Sequence, residues 1–127
     1  MKCGATCGAL ALAGPLVLAA CASGSLALNS WKEVSDRVVA PWELREECVA
    51  LRPGERLDYI WESTQPVMFN LHYHSGGGVV MPISRDDVTG DAGIFTVVLA
   101  HEYCLMWEAR ENGALVSYRF RRRSADE

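Results

Sequence analysis

Charge is missing from the start of this chain. No charged residue occurs between Lys2 and Lys32, and residues 9–20 form an apolar run interrupted only by Gly14 and Pro15. That run is too short to cross a bilayer as a helix, which takes about 20 apolar residues. A positive start, a short apolar core and small residues at its end are typical of a secretory signal peptide. We therefore predict that residues 1–20 are a signal peptide that is removed on export.

The end of the predicted signal is more specific. Leu18-Ala19-Ala20-Cys21 resembles the lipobox of bacterial lipoproteins, in which the cysteine becomes the first residue of the mature protein. The resemblance implies a diacylglyceryl group on the Cys21 thiol and a further acyl chain, such as palmitate, on its amine. One acyl chain holds a protein to a bilayer only marginally, whereas two or three hold it stably. The lipid bilayer would then be the first partner of this protein.

The residue after Cys21 bears on the location of the protein. Ala22 stands where an aspartate would imply retention at the inner membrane. The resemblance therefore implies a lipoprotein of the outer membrane that faces the periplasm. The alternative is an ordinary cleaved signal that leaves the Cys21 thiol free.

Few cysteines remain once the signal is removed. Of the five in the chain, Cys3 and Cys7 leave with the signal and Cys21 would carry lipid. Cys48 and Cys104 are an even pair in an oxidising compartment, which predicts one disulfide. Closing the long loop between residues 48 and 104 stabilises a fold by about 4 kcal/mol in the chain-entropy description. The lack of a C-x-x-C motif argues against metal ligation or redox work by these two.

Positive charge is also in short supply. Without Lys2 the mature chain keeps 11 of the 12 basic residues against 16 acidic ones, so its formal net charge is 11 − 16 = −5. This balance argues against nucleic acid or anionic lipid headgroups as the main partner. The basic run at residues 119–123 is interpreted as a solvated end, which the following acidic residues partly offset.

The spacing of apolar residues changes along the mature chain. Trp31, Val34 and Val38 recur at helical spacing, which predicts a short helix within residues 30–40 that ends before Pro41. Residues 21–45 would be a lipid-anchored tether containing this helix. From Glu47 onward apolar and polar residues alternate with a period of two, which predicts strands.

Turn signals divide the alternating region into seven short strands. The signals lie at residues 52–55, 65–66, 76–78, 89–93 and 111–113. Strands so spaced predict an all-β fold, an antiparallel β-sandwich over residues 46–122 with a polar tail at 123–127.

One predicted strand, at residues 103–107, carries apolar side chains on both faces. Tyr103, Leu105 and Trp107 share one face, and Cys104 and Met106 share the other. Either this strand is covered on both faces or a bulge shifts its register.

Several strand and turn residues together resemble a known domain. They are Cys48, Leu51-Arg52-Pro53-Gly54-Glu55, Tyr59, Phe69, Gly93-Ile94-Phe95, Tyr103-Cys104 and Tyr118. Residues 46–122 are in this respect similar to the GOLD domain, found in the lumenal part of eukaryotic secretory-pathway cargo receptors. The resemblance implies a jelly-roll-like sandwich, a Cys48–Cys104 bridge and a binding role without catalysis.

The partners of those receptors do not carry over to this chain. It shows neither their coiled coil nor their C-terminal membrane helix, so an envelope protein and a small ligand both stay open as partners. Residues 69–74 and 103–108 are also similar to stretches of small bacterial envelope proteins that have no assigned function.

Two of the three histidines lie in the stretch FNLHYHSGGG, residues 69–78. Alternation along a strand puts His72 and His74 on one face, together with Asn70. We predict that Asn70, His72, His74 and Met106 form a binding face. The simplest alternative is an exposed polar stripe with no ligand.

A second alternative is a periplasmic copper- or zinc-binding protein that uses His72 and His74. Most metal sites need a third or fourth ligand, and a thioether would suit reduced copper. The further candidate ligands are Met68, His101, Glu102, Cys104 and Met106.

Motifs of catalysis are missing from the sequence. It contains no G-x-S-x-G, no H-E-x-x-H and no phosphate-cradling loop. The glycines at residues 76–78 lie between two predicted strands, so they offer no helix N-terminus to an anion. We therefore predict a protein without catalysis or a required cofactor. Hydrolysis with His72 or His74 as general base is the remaining enzymatic alternative.

Overall fold

Residues 25–126 are described by a computed structural model, and they form six antiparallel β-strands without a helix. The strands are β1 (Lys32–Val39), β2 (Leu44–Leu51), β3 (Arg56–Ser75), β4 (Gly78–Thr96), β5 (His101–Ala109) and β6 (Ala114–Arg123). This part of the chain therefore includes no helix that could span a membrane. The predicted signal peptide and lipobox, with Cys21, lie outside the described residues.

The hairpin of β3 and β4 contributes to both layers of the fold. Residues 56–63 of β3 pair with β6, residues 67–72 pair with β5, and β4 runs beside β3 along most of its length. The first layer therefore has the strand order β1-β6-β3-β4, and the second has the order β2-β5-β3-β4. Gly76 and Gly77 close the hairpin with φ of +58° and +79°, the left-handed pair that a tight two-residue turn requires. The predicted all-β sandwich is confirmed.

Aromatic side chains from both layers fill the space between them. The rings of Trp107 in the second layer and Tyr118 in the first layer stack with their centroids 4.5 Å apart. Trp61 in the first layer packs on Phe69 in the second, at 5.0 Å. Their inward direction follows from alternation along each strand, because every second side chain points to the same face. Each such ring buries a large apolar area, which stabilises the sandwich.

The short helix predicted within residues 30–40 is wrong, because this segment forms β1 and pairs with β6. Val34 packs against the core, whereas Trp31 and Val38 are exposed, so these three residues do not share a face. The pairing register shifts between Val34 and Arg37, where one extra residue forms a bulge. The inward residues Val34 and Val39 are therefore separated by an odd number of positions, and the bulge hides the period of two.

The fold has six strands rather than seven, because two predicted turns lie inside strands and β1 adds one strand that was not predicted. Residues 65–66 belong to β3 and residues 89–93 belong to β4. The register between these strands shifts from Glu62 to Val67, where the hairpin passes from one layer to the other. Pro66 is tolerated at this break, since no ladder hydrogen bond from its nitrogen is needed there. The other three predicted turns connect consecutive strands.

The predicted disulfide between Cys48 and Cys104 is present. The two cysteines are directly opposite in the pairing of β2 with β5, so the bridge lies within the second layer, on its outer face. The pairing of β5 with β2 is continuous, which excludes a bulge at residues 101–108. The strand is therefore covered on both faces at Cys104, by the core on one side and the disulfide on the other.

Gly93 provides a test of the packing between β3 and β4. The ring of Tyr59 lies over this glycine, and a Cβ there would come within 2.7 Å of the Tyr59 hydroxyl oxygen. Because the ring must move, we expect Gly93→Ala to lower the free energy of unfolding by about 1–3 kcal/mol. Gly78→Ala is the control, since its Cβ would meet only the Ser75 carbonyl oxygen at 3.6 Å. Equal denaturation midpoints for the two variants would contradict this account.

Candidate functional site

The outer face of the second layer holds the residues of the predicted binding face. In the strand register Asn70 lies opposite Met106, and His72 lies opposite Cys104. His74 follows two residues along the same strand. The fold therefore places Asn70, His72, His74 and Met106 on one surface, which we call the histidine face.

Strand β2 adds two neighbours to the histidine face, and the sequence did not suggest the first of them. Glu46 lies opposite Met106, and Cys48 lies opposite Cys104. The pairing of β2 with β5 brings the Glu46 carboxylate beside His72, which is 26 residues later in the chain. No local motif could have identified Glu46, because it enters the histidine face only through β5.

The histidine face is less exposed than a polar stripe on a sheet would be. Asn70 and His72 are 3% and 4% exposed, although they point away from the core. Met106 is half-buried and His74 is exposed. The two buried polar side chains satisfy each other, because His72 Nδ1 lies 2.7 Å from Asn70 Oδ1.

The imidazole of His72 has three polar or aromatic neighbours. Its Nδ1 contacts Asn70, and its Nε2 lies 3.4 Å from Glu46 Oε1. The ring of His74 meets it edge-on, with the ring centroids 5.3 Å apart and the planes at 83°. His72 therefore contacts Glu46 and His74, but among residues 25–126 the ligand atoms of Glu46, His72 and His74 do not all lie within 4.8 Å of one another.

Burial lowers the pKa of His72 below its ordinary 6.5. The neighbouring Glu46 carboxylate opposes this effect, and His74 adds to it because two cationic imidazoles would repel each other. The neutral ring is therefore favoured near pH 7.

A neutral His72 limits how its two nitrogens can be used. If Nδ1 donates its hydrogen to Asn70 Oδ1, the lone pair of Nε2 points toward the Glu46 carboxylate. Two acceptors at 3.4 Å repel unless a cation lies between or near them. With the Asn70 amide turned over, Nδ1 accepts instead and Nε2–H donates to Glu46. The arrangement thus suits either a structural hydrogen-bond chain or a bound cation.

The other candidate metal ligands lie elsewhere or are already used. His101 stacks on Tyr73 with ring centroids 4.4 Å apart, on the opposite face of the sheet from His72. Cys104 is bonded to Cys48 and offers no thiolate. Met68 lies opposite Glu108, further along the histidine face. Glu102 lies opposite Ala50, at the other end of the same surface.

A shallow cleft of about 310 Å³ opens on the outer face of the first layer. Its lining includes Glu33, Ile60, Glu62, Ser117 and Arg119, from three neighbouring strands. Its lining includes neither His72 nor His74, so this cleft does not support the alternative of hydrolysis with one of these histidines as general base.

Comparisons with known proteins assign no family. No family model matches the chain, and no curated protein matches it. Among solved structures, it is similar to the solution NMR structure of a de novo designed double-stranded beta-helix. The two are 17% identical with a TM-score of 0.40, over 73% of this chain and 97% of the designed one.

The lowered pKa of His72 predicts how stability depends on pH. The unfolded chain takes up a proton near pH 6.5, where the folded protein still keeps His72 neutral. The free energy of unfolding should therefore fall as the pH drops below about 6.5. Denaturant titrations between about pH 7.5 and 5.5 measure this slope.

Two variants test whether His72 causes the dependence of the free energy of unfolding on pH. His72→Gln should flatten the dependence, whereas His101→Gln should keep it as in the wild type. An unchanged slope in His72→Gln would show that other groups cause it.

Proposed function

We propose that this protein is a lipid-anchored lipoprotein of the bacterial cell envelope whose β-sandwich binds a partner without catalysis. The lipobox-like motif ending at Cys21 supplies the anchor in this proposal. The Cys48–Cys104 disulfide is the observation that carries the location, because such bonds persist outside the reducing cytosol. Cys48 is exposed, so a cytosolic thiol could reach the bridge and reduce it.

The histidine face is the surface we assign to the partner. It combines the half-buried thioether of Met106, the disulfide and the exposed imidazole of His74 on an ordered sheet. Hydrogen bonding between Asn70 and His72 orders the polar centre of this surface before any partner arrives. Preorganised polar and soft apolar groups on a rigid sheet favour binding, because little side-chain freedom is lost on association.

The anchor predicts a specific change in mass and location. In a bacterial host, the wild-type protein should sediment with membranes and carry a diacylglyceryl group on Cys21, detected by mass spectrometry of the intact protein. Cys21→Ser should lack this group and keep the signal peptide. Cys7→Ser is the matched control, since the proposal assigns that cysteine no lipid, and it should behave as the wild type. A wild-type mass with an unmodified Cys21 would refute the anchor.

A second candidate function is the binding of zinc or copper through His72 and His74. The observation in its favour is that His72 has two possible fellow ligands beside it, the Glu46 carboxylate with its Oε1 3.4 Å from His72 Nε2 and the His74 ring with its centroid 5.3 Å away. Two imidazoles and a carboxylate form a ligand set that zinc accepts, with a fourth position for water. The same nitrogen and oxygen set suits oxidised copper, and Met106 nearby offers the softer ligand that reduced copper prefers.

Metal content separates the two candidates. Protein purified without a histidine tag should hold close to one zinc or copper per chain if the second candidate is right, measured by elemental analysis. The double variant His72→Ala/His74→Ala should then lose the metal, and His101→Ala should retain it. Equal, sub-stoichiometric metal in all three proteins would end this candidate and leave the histidine face to a molecular partner.

A further inference from the structure

The outer face of the first layer concentrates positive charge. In the register of β3 with β6, Arg56 lies opposite Arg123, Asp58 opposite Arg121, and Ile60 opposite Arg119. Residues directly opposite in a sheet point to the same side. We call this surface, with Trp31 beside it, the basic face.

Positive charge on the basic face exceeds the negative charge that it contacts. Arg121 and Arg123 share one carboxylate, because both Nε atoms lie within 3.0 Å of Asp58 Oδ2. Arg119 contacts Glu33 at 3.6 Å. Nη2 of Arg56 is buried without a hydrogen-bond partner among residues 25–126. The exposed Glu62 is a third carboxylate on this side of β3, beside Ile60 and Arg119. Four guanidinium groups against three carboxylates leave a charge of +1, on a chain whose formal net charge is −4.

Exposed apolar side chains accompany the arginines. The indole of Trp31 is 38% exposed and lies under the guanidinium groups of Arg119 and Arg121, 4.9 and 4.6 Å from their central carbons. Ile60 is exposed on the same face, as is Ile94, which pairs with Asp58. Tryptophan and arginine side by side are typical of surfaces at the level of lipid headgroups.

The chain enters the fold next to this face. Leu26 packs against the core, and the Asn29 amide donates to the Arg122 carbonyl oxygen at 2.7 Å. Cys21 is four residues before the first described residue, so a fully extended chain could separate them by no more than about 14 Å. An acyl group on Cys21 would therefore keep the end of β6 close to the headgroups.

We propose that the basic face lies on the anionic phospholipid surface to which Cys21 is anchored, with Trp31 at headgroup level. This inference rests on the proposed lipid anchor. It assigns the basic run at residues 119–123 to the membrane rather than to solvent. The acidic remainder of the protein then faces away from the bilayer, which reduces its repulsion by anionic lipids.

Tryptophan fluorescence tests the orientation of the domain. The acylated full chain, purified in detergent, is placed in vesicles of phosphatidylcholine alone or mixed equally with phosphatidylglycerol, and the acyl chains carry bromine as quencher. The anchor holds the protein in both vesicles, so the difference in quenching reports docking of the face. We expect stronger quenching with phosphatidylglycerol. Trp31→Phe should abolish this difference, and Trp42→Phe, which removes a tryptophan 65% exposed in the β1–β2 turn, should keep it.

Charge variants test the arginines. Arg119→Gln/Arg123→Gln should lower the ratio of docked to free orientation about fivefold for each arginine removed. Arg119→Lys/Arg123→Lys should largely retain docking, because the charge is kept. The matched control is Arg45→Gln/Arg85→Gln, which removes two exposed arginines outside the basic face. Near-ultraviolet circular dichroism checks that each variant keeps its packed aromatic core.

The possible failures are distinguishable. If intact mass shows acylated Cys21 but quenching is equal in the two vesicles, or does not change in the glutamine pair, the inference is overturned and the anchor stands. Loss of the difference in Trp42→Phe instead of Trp31→Phe overturns it as well, because another surface then meets the lipid. An unmodified Cys21 removes the anchor and the inference together.

Discussion

The whole architecture depends on aromatic packing between two layers that share one bent hairpin. Trp107 and Tyr118 come from different layers, and their stacked rings are 4.5 Å apart. The hairpin of β3 and β4 cannot bury its inward side chains as a flat sheet. Because it bends at residues 63–66, Trp61 and Phe69 on the same strand face each other across the core. Their burial offsets the conformational entropy lost in ordering two such long strands.

Alternate side chains of each strand fill the interior of the sandwich. The side chains between them form the two outer faces, which are available for binding. The two proposed surfaces lie on opposite layers, the histidine face on the second and the basic face on the first. If the basic face rests on the bilayer, the histidine face points away from it, toward partners in the surrounding compartment. One sandwich would thus separate attachment from recognition, and the Cys48–Cys104 bridge would stiffen the face used for recognition.

Several expectations failed for reasons that particular residues make clear. At β1 the bulge after Val34 broke the alternation, so the apolar spacing resembled that of a helix. At Pro66 a residue that usually ends a strand lies where the hairpin bends and the ladder is already interrupted. At His72 the alternative of an exposed polar stripe does not fit, because this side chain is only 4% exposed. The histidine pair could be placed on one face from sequence, whereas Glu46 could not.

The sequence by itself determined the alternation that makes this an all-β protein, three of its turns and the cysteines that form its disulfide. These features depend on residues that are adjacent in the chain or on simple counting, so local chemistry decides them. Only the tertiary structure decided which strands pair, where the hairpin bends, that Glu46 meets His72, and that Arg56 joins the arginines of β6 beside Trp31. Such contacts join residues far apart in the chain, and their register is selected by the fit of the whole core rather than by any one segment.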